Sequence, residues 1–405
     1  LNLPITQFYN IEVDYQNPER RYGGTQDNNT IRTTTGGLND WNSILGGDGF
    51  HVNVDPIDNN YVYAESQYGN LRRSTNGGNS FQNGTNGISG SDRVNWNTPV
   101  ILSPFSPDKM FYGSNKLYTS TRAVSWTAIS PDLTDGLHPS GSLAFGTLTA
   151  IAASYNNLDV IYTGSDDGNV NVTFDGGTTW TDISAGLPDQ YITSIAMVPS
   201  DDMIAYVTVS GFKYLDYTPH VFKTTDGGQN WTDISSNLPN IPVNDIIVYP
   251  AENILFVATD LNVWYSKDDG ATWTILGNNL PLTVVMDLKF HEPTKTLYAG
   301  TFGRAMHSYD VSDILGVEEN SLSENTIKVY PNPATSEFTI SQNLSSKGTI
   351  QLFDTSGKKI KELFNGNFGT NKKIKIKTDG LAAGVYLVKV NSGKQSVTKK
   401  LVINK

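Results

Sequence analysis

Apolar and polar residues alternate in short runs along most of this chain. Thr193 to Val198, Met203 to Ser210 and His220 to Thr225 follow one another in this way, and Trp231 to Ser235 adds a fourth run. A period of two marks a strand with one face toward a core. The third and fourth runs are joined by the clearest example of an eight-residue pattern, Thr224-Thr225-Asp226-Gly227-Gly228-Gln229-Asn230-Trp231. Thr173 to Trp180 and Ser266 to Trp273 repeat it closely, Ser74 to Phe81 conservatively, and Thr119 to Trp126 in worn form.

The pattern predicts a tight hairpin. Its Asp or Asn can accept bonds from backbone N–H groups of the turn, its Gly tolerates a positive φ, and its aromatic residue buries a ring as the next strand begins. Four short strands per unit make a β-propeller blade. Corresponding third-strand positions fall at Thr35, Asn76, Thr121, Asp175, Asp226, Asp268 and Asp310, so seven units are expected. The predicted fold is all-β: a seven-bladed propeller over residues 1–314, a linker over 315–325, and a small Ig-like β-sandwich over 326–405.

The repeat resembles the Asp-box, or BNR repeat, of sialidases, sortilin-type receptors and two-propeller glycosidases. That resemblance implies a structural fastener, so Asn76, Phe81, Asp175, Trp180, Asp226, Trp231, Asp268 and Trp273 are expected to hold hairpins, not ligand. The seventh unit shows three strands and no box after Asp310. Because Asn2-Leu3-Pro4 matches the Asn237-Leu238-Pro239 and Asn279-Leu280-Pro281 that trail fourth strands, an upstream segment is expected to supply the missing strand. The alternative is closure by Ser312 to Leu315.

The 37 Gly, 20 Tyr and 16 Phe suit many short strands joined by tight turns. The absence of Cys removes disulfide scaffolds, thiol nucleophiles and thiolate metal sites. The five His are scattered without metal-ligand spacing, and Ser165 to Asn169 lacks the spacing of a calcium loop, so neither cofactor nor metal is expected. Charge divides the chain: from Leu322 on there are 14 Lys against 5 acidic residues, and before it 15 basic against 35 acidic residues. An acidic propeller excludes nucleic acid as a partner. The tail lysines alternate with apolar residues, as in Lys373-Ile374-Lys375-Ile376-Lys377, which reads as half-buried strands.

The tail carries Val329-Tyr330-Pro331-Asn332-Pro333-Ala334, Leu352 to Lys358, Leu381-Ala382-Ala383-Gly384-Val385-Tyr386 and a terminal Lys400-Leu401-Val402. In this order and place they resemble the C-terminal sorting domain of type IX secretion cargo in Bacteroidota-type bacteria. Tyr330, Pro331, Asn332, Pro333, Gly384, Lys400, Leu401 and Val402 are the sorting-signal positions. The resemblance implies an outer-membrane shuttle barrel and translocon as partners of residues 326–405, a sortase cutting between Gly316 and Asn325, and a secreted or surface-anchored product.

Propeller topology puts the box hairpins on one face and the loops joining second to third strands on the other, where ligands are expected. Candidates there are Gln26, Asp27, Asp48, Gln67, Tyr68, Asp166, Asp167, Asp260 and Arg304, with Arg93 and Trp96 from the long loop between the second and third units. The expected role is binding of an extracellular glycan or protein. Tyr22 to Asp27 and Gly46 to Phe50 resemble sortilin-like proteins related to two-propeller xyloglucanases, and this implies an alternative: a glycoside hydrolase with Asp27 as a catalytic carboxylate and an active site shared with an upstream propeller. A sialidase is disfavoured, because only eight Arg occur and four of them are the adjacent pairs Arg20-Arg21 and Arg72-Arg73.

Overall fold

The computed structural model describes residues 5–249, 254–315, 320–321, 327–342, 347–355, 358–368, 372–392 and 395–405. The chain divides into two compact units, Leu1–Ser312 and Asp313–Lys405. Most of the expected linker and sortase segment, like the Leu1 to Pro4 stretch, lies outside the described residues.

Among the described residues the first unit is a seven-bladed propeller of antiparallel sheets, six with four strands and the last with three. Its innermost strands are Phe8–Val13, Gly49–Val54, Val100–Leu102, Leu148–Ala153, Tyr191–Val198, Val243–Tyr249 and Val285–His291. Each lies against the next, and the seventh returns to the first. Hydrogen bonds close the ring: Gly303 and Ala305 N–H donate to the Thr6 carbonyl at 3.2 and 3.1 Å, and the Ile11 N–H donates to the Asp287 side-chain Oδ2 at 2.7 Å. Second strands such as Val62–Ser66 and Ile161–Ser165 are buried along their whole length, because both faces of a blade pack on neighbouring blades.

The repeat builds the hairpins locally. In the clearest copy Thr224 Oγ1 accepts the Gly228 N–H at 2.9 Å and donates to Asp226 Oδ1 at 2.8 Å, while Asp226 accepts the Asn230 N–H at 2.9 Å. Gly228 has φ +91°, and a Cβ there would lie 2.3 Å from Ile183 of the preceding blade. Glycine is therefore required for both conformation and space. The same bonds recur around Ser74, Thr173 and Ser266. In the first blade the carboxylate arrives from the far side of the turn, as Asp40, which accepts from Thr33 and Thr35. Ser312–Leu315 forms one helical turn, so that segment does not supply a fourth strand to the seventh sheet.

The second unit is a two-sheet β-sandwich. One sheet contains Lys347–Asp354, Lys359–Asn367, Gly384–Ser392 and Gln395–Ile403, and the other contains Ile327–Tyr330, Glu337–Gln342 and Lys372–Lys377. Phe338, Ile340, Ile350, Leu352, Phe368, Val388, Val390, Leu401 and Ile403 meet between the sheets. Asn332 fastens the terminal strand, donating to Lys400 O at 2.7 Å and accepting the Val402 N–H at 2.8 Å.

Candidate ligand-binding face

The face carrying the loops between second and third strands is shaped by a repeated defect. In six of the seven blades the register between first and second strand slips near the start of the first strand. A β-bulge leaves a residue unpaired and re-aims its side chain. Tyr9, His51, Thr149, Thr193, Asn244 and Met286 stand at these slips, and all six border one pocket at the propeller axis.

On one side of the pocket is an aromatic ridge. Tyr9 stacks on Phe50 at 4.6 Å and tilts against Phe302 at 5.6 Å. Trp96 meets Phe50 edge-on at 5.6 Å and Tyr68 at 4.9 Å. Phe50 is fully buried, but Tyr68 is 61% and Trp96 38% exposed. Partly exposed rings held by other rings offer fixed apolar faces. Asp27 and Asp48 sit beside them: the Asp27 N–H donates to Asp48 Oδ1 at 2.6 Å. Burial raises the Tyr9 phenol above its usual range; a hydrogen bond with Trp96 opposes that, and the Asp48 and Asp27 carboxylates add to it. Asp27 and Tyr68 hold φ of +59° and +60°, uncommon for residues with a Cβ. Gln67 reaches the same corner, its Oε1 lying 2.7 Å from where a Cβ on Gly47 would be.

The other wall comes from loops of the fourth and fifth blades. Lys213 Nζ lies 5.1 Å from the Tyr191 ring centre and 5.6 Å from that of Phe145, and donates to Leu143 O. Phe145, Phe212, Tyr214 and Tyr217 are exposed there.

Several expected face residues are turned inward. Asp166 is 1% exposed and accepts the Phe145 and Thr147 N–H groups at 2.7 and 2.8 Å. Asp167 is 5% exposed and is bound by Ser165, Asn169, His138 and the Asp135 N–H. Arg93 pairs with Asp132 at 2.7 Å and donates to Gly146 O. All three tie down the long loop before the fourth blade. Asp260 accepts from Asn244 at 2.9 Å, bracing a pocket residue. Arg304 is exposed on the seventh blade's loop. Tyr9, Phe50, His51, Tyr191 and Lys213 were not among the expected residues.

Deeper in the axial channel a polar cluster joins blades. Lys289 pairs with Asp287 at 3.0 Å, and Asp245 accepts from Ser194 at 2.7 Å and from the Leu288 N–H at 2.8 Å. Burial pushes the Glu12 carboxyl up to about 7 against the opposing charge of Lys289. Burial also drives the His51 imidazole down to about 4. Asp245 is raised by burial and by the charge of Asp287. Among the described residues no group of three or more His, Cys, Asp or Glu is placed to hold a metal ion.

Comparison with known proteins divides along the same two units. A family model for the secretion system C-terminal sorting domain matches residues 328–404. The oligoxyloglucan-reducing end-specific xyloglucanase of Emericella nidulans is 23% identical over 227 residues, 52% of this chain and 27% of that protein. An endo-acting ulvan lyase of Formosa agariphila is 35% identical over 92 residues, 22% of this chain and 17% of that protein. The chain thus matches only about a quarter or less of the length of these curated relatives. Among solved structures, the GH74 xyloglucanase from Xanthomonas campestris superposes with TM-score 0.60 at 14% identity, covering 98% of this chain and 68% of that one. YCF48 from Cyanidioschyzon merolae superposes with TM-score 0.55 at 12% identity, covering 76% and 95%. At such identities the likeness establishes the β-propeller fold alone.

The sorting domain makes the protein type IX secretion cargo, extracellular or at the cell surface, and implies contact with that secretion machinery. No described helix is long and apolar enough to cross a membrane.

Proposed function

We propose that the propeller binds an extracellular glycan at the axial pocket, with Tyr68 and Trp96 as stacking faces and Asp27, Asp48, Gln26, Gln67 and Arg304 as polar contacts. The supporting observation is the ring cluster Tyr9, Phe50, Trp96 and Tyr68 beside the paired loops of Asp27 and Asp48. Apolar ring faces match the C–H faces of a sugar, and carboxylates and amides match its hydroxyls. Arg93, Asp166, Asp167 and Asp260 act as positioning residues. The Asp-box character of the repeats assigns the opposite face a mechanical role.

A second reading is favoured by the xyloglucanase relatives. Asp27 then serves as one of the two carboxylates of a glycoside hydrolase. Calorimetric titration of the full chain with a panel of plant and algal oligosaccharides, beside reducing-end release, separates the two. Binding lost in Trp96→Ala without release supports the lectin-like role. Release abolished in Asp27→Asn supports the hydrolase, and neither binding nor release from any member overturns both.

On the secretion route, residues 326–405 are read by the shuttle barrel and translocon, and a sortase cuts ahead of them.

A further inference from the structure

The side chains bordering the axial pocket are uncharged at neutral pH, with one exception. Amides of Asn10, Asn97 and Asn244 and hydroxyls of Thr149, Thr193 and Ser210 offer hydrogen bonds. His51, driven down to about 4 by burial, is neutral. Lys213 is the exception, and among the described residues no carboxylate borders the pocket. The contrast with the rest of the propeller is sharp, since 35 acidic residues face 15 basic ones before Leu322.

Lys213 lies in the single turn Phe212–Tyr214, which the Tyr214 and Asp216 N–H groups close onto the Gly211 carbonyl at 2.8 and 3.0 Å. Its ammonium donates to Leu143 O at 3.2 Å and stands 5.1 Å from the Tyr191 ring centre. A carbonyl and ring faces orient an ammonium without neutralising it. The carboxylates around it are engaged elsewhere: Asp166 by the Phe145 and Thr147 N–H groups, Asp167 by His138, and Asp216 by His220, Gln190 and the Thr218 N–H. Asp189 is exposed on the loop before Tyr191. Among the described residues none of the four forms an ion pair with Lys213. Deeper in the channel Asp287 is paired with Lys289, and Asp245 accepts from Ser194 and the Leu288 N–H. Asp27 and Asp48 stand across the pocket, beside the aromatic ridge, so its two sides differ in charge.

We propose that the glycan taken by this pocket is anionic, with a sugar carboxylate or sulfate seated on Lys213 and an uncharged sugar stacked on Tyr68 and Trp96. The inference rests on the glycan-binding reading above and names the class of glycan. Lys213 donates to the anionic oxygens, while the neighbouring amides and hydroxyls take the sugar hydroxyls. Charge also sets direction, because an anionic unit is repelled by Asp27 and Asp48 and drawn toward the fourth and fifth blades. A neutral glycan gains nothing from the ammonium, so Lys213 is a specificity-determining residue.

Calorimetric titration of the full 405-residue chain with two matched pairs tests this: oligogalacturonate beside its methyl ester, and a sulfated galactan oligosaccharide beside its desulfated form. At least one acidic member should bind about tenfold tighter than its neutral partner. The pair that discriminates identifies carboxylate or sulfate as the anionic group. Lys213→Gln should abolish the preference and Lys213→Arg should keep it, and added salt should shrink it. Lys267→Gln, which removes an exposed lysine from a box hairpin on the opposite face, should leave it unchanged. Equal effects of Lys213→Gln and Lys267→Gln would assign the preference to net charge and overturn the proposal. Neutral members binding as tightly as acidic ones, with both weakened by Trp96→Ala, would uphold the glycan reading and overturn this inference. Binding by no oligosaccharide, acidic or neutral, would overturn both.

Discussion

Asp166 and Asp27 lie on loops of one face, on the fourth and first blades, yet replacing them should have different consequences. Asp166 is buried and holds the Phe145 and Thr147 N–H groups. Each such bond to a charged group contributes about 1.5–3 kcal/mol, and Asp166→Ala strands two donors. Relief of the buried carboxylate and opening of the exposed loop to water offset part of this, leaving a loss of roughly 2–4 kcal/mol. Asp27 is exposed and its side chain has no hydrogen-bond partner among the described residues; its φ of +59° is one that Asn adopts readily. Asp27→Asn should therefore shift stability by no more than about 0.5 kcal/mol. All seven tryptophans precede Asp313, so urea unfolding followed by tryptophan fluorescence reports on the propeller alone. Hydrogen exchange at Phe145 and Thr147 locates the damage. A cost below 1 kcal/mol for Asp166→Ala, or an equal cost for Asp27→Asn, would refute the division into fastening and contacting carboxylates.

Other perturbations test separate parts of the molecule. Glu12 has a folded-state pKa of about 7 against an ordinary 4.5. The unfolded chain therefore ionises it first, and the stability it contributes is complete below about 4.5 and lost as pH rises through about 7, by roughly 3 kcal/mol at most. Glu12→Gln should flatten the fall in urea midpoint between pH 5 and 8; an unchanged slope would show that Glu12 ionises freely. Thr224→Ala removes the acceptor of the Gly228 N–H and the partner of Asp226, and should cost about 1–3 kcal/mol while leaving glycan titrations unaltered. A change in affinity without loss of stability would give the box a ligand role. Deleting Lys400 to Lys405 strips Leu401 and Ile403 from the sandwich core and the two Asn332 bonds from the last strand. Cell fractionation should then find the protein retained inside, and normal secretion would contradict the sorting assignment.

How much of this was legible in the sequence depended on how local each interaction is. A box hairpin is complete within eight residues, so Thr224, Asp226, Gly228 and Trp231 announce it together. Only the first blade hides its version, because Asp40 supplies the carboxylate from beyond the turn. The sandwich strands were visible for the same reason, through strict alternation and Gly- or Pro-marked turns. The axial pocket was not. Tyr9, His51, Thr193 and Asn244 sit at bulges, where the period of two breaks and no alternation pattern says which way a side chain points. Asp166 and Asp167 were expected outward because an Asp in a turn looks alike whether it binds a ligand or its own neighbouring loop. Burial tells them apart, and burial here depends on residues some 20 to 30 positions away.

That separation of scales bears on how the fold carries function. The repeated hairpins fasten blades through bonds internal to each box plus one indole seated on the preceding blade, and none of those groups borders the axial pocket. The pocket is instead lined by bulge residues of different chemistry: a phenol at 9, an imidazole at 51, hydroxyls at 149 and 193, an amide at 244 and a thioether at 286. Because each projects from an unpaired position, its side chain can change without removing a ladder hydrogen bond. The ring supplies rigidity, and under the proposed glycan-binding role these six positions are further determinants of ligand choice whose replacement leaves the boxes intact. Thr149, Thr193 and Asn244 are partial exceptions, since they donate to Ile192 O, Val243 O and Val285 O and couple the pocket to the blade interfaces. Thr193→Val, which keeps the shape and removes the donor, should therefore lower affinity and stability together, whereas Met286→Leu should alter affinity alone.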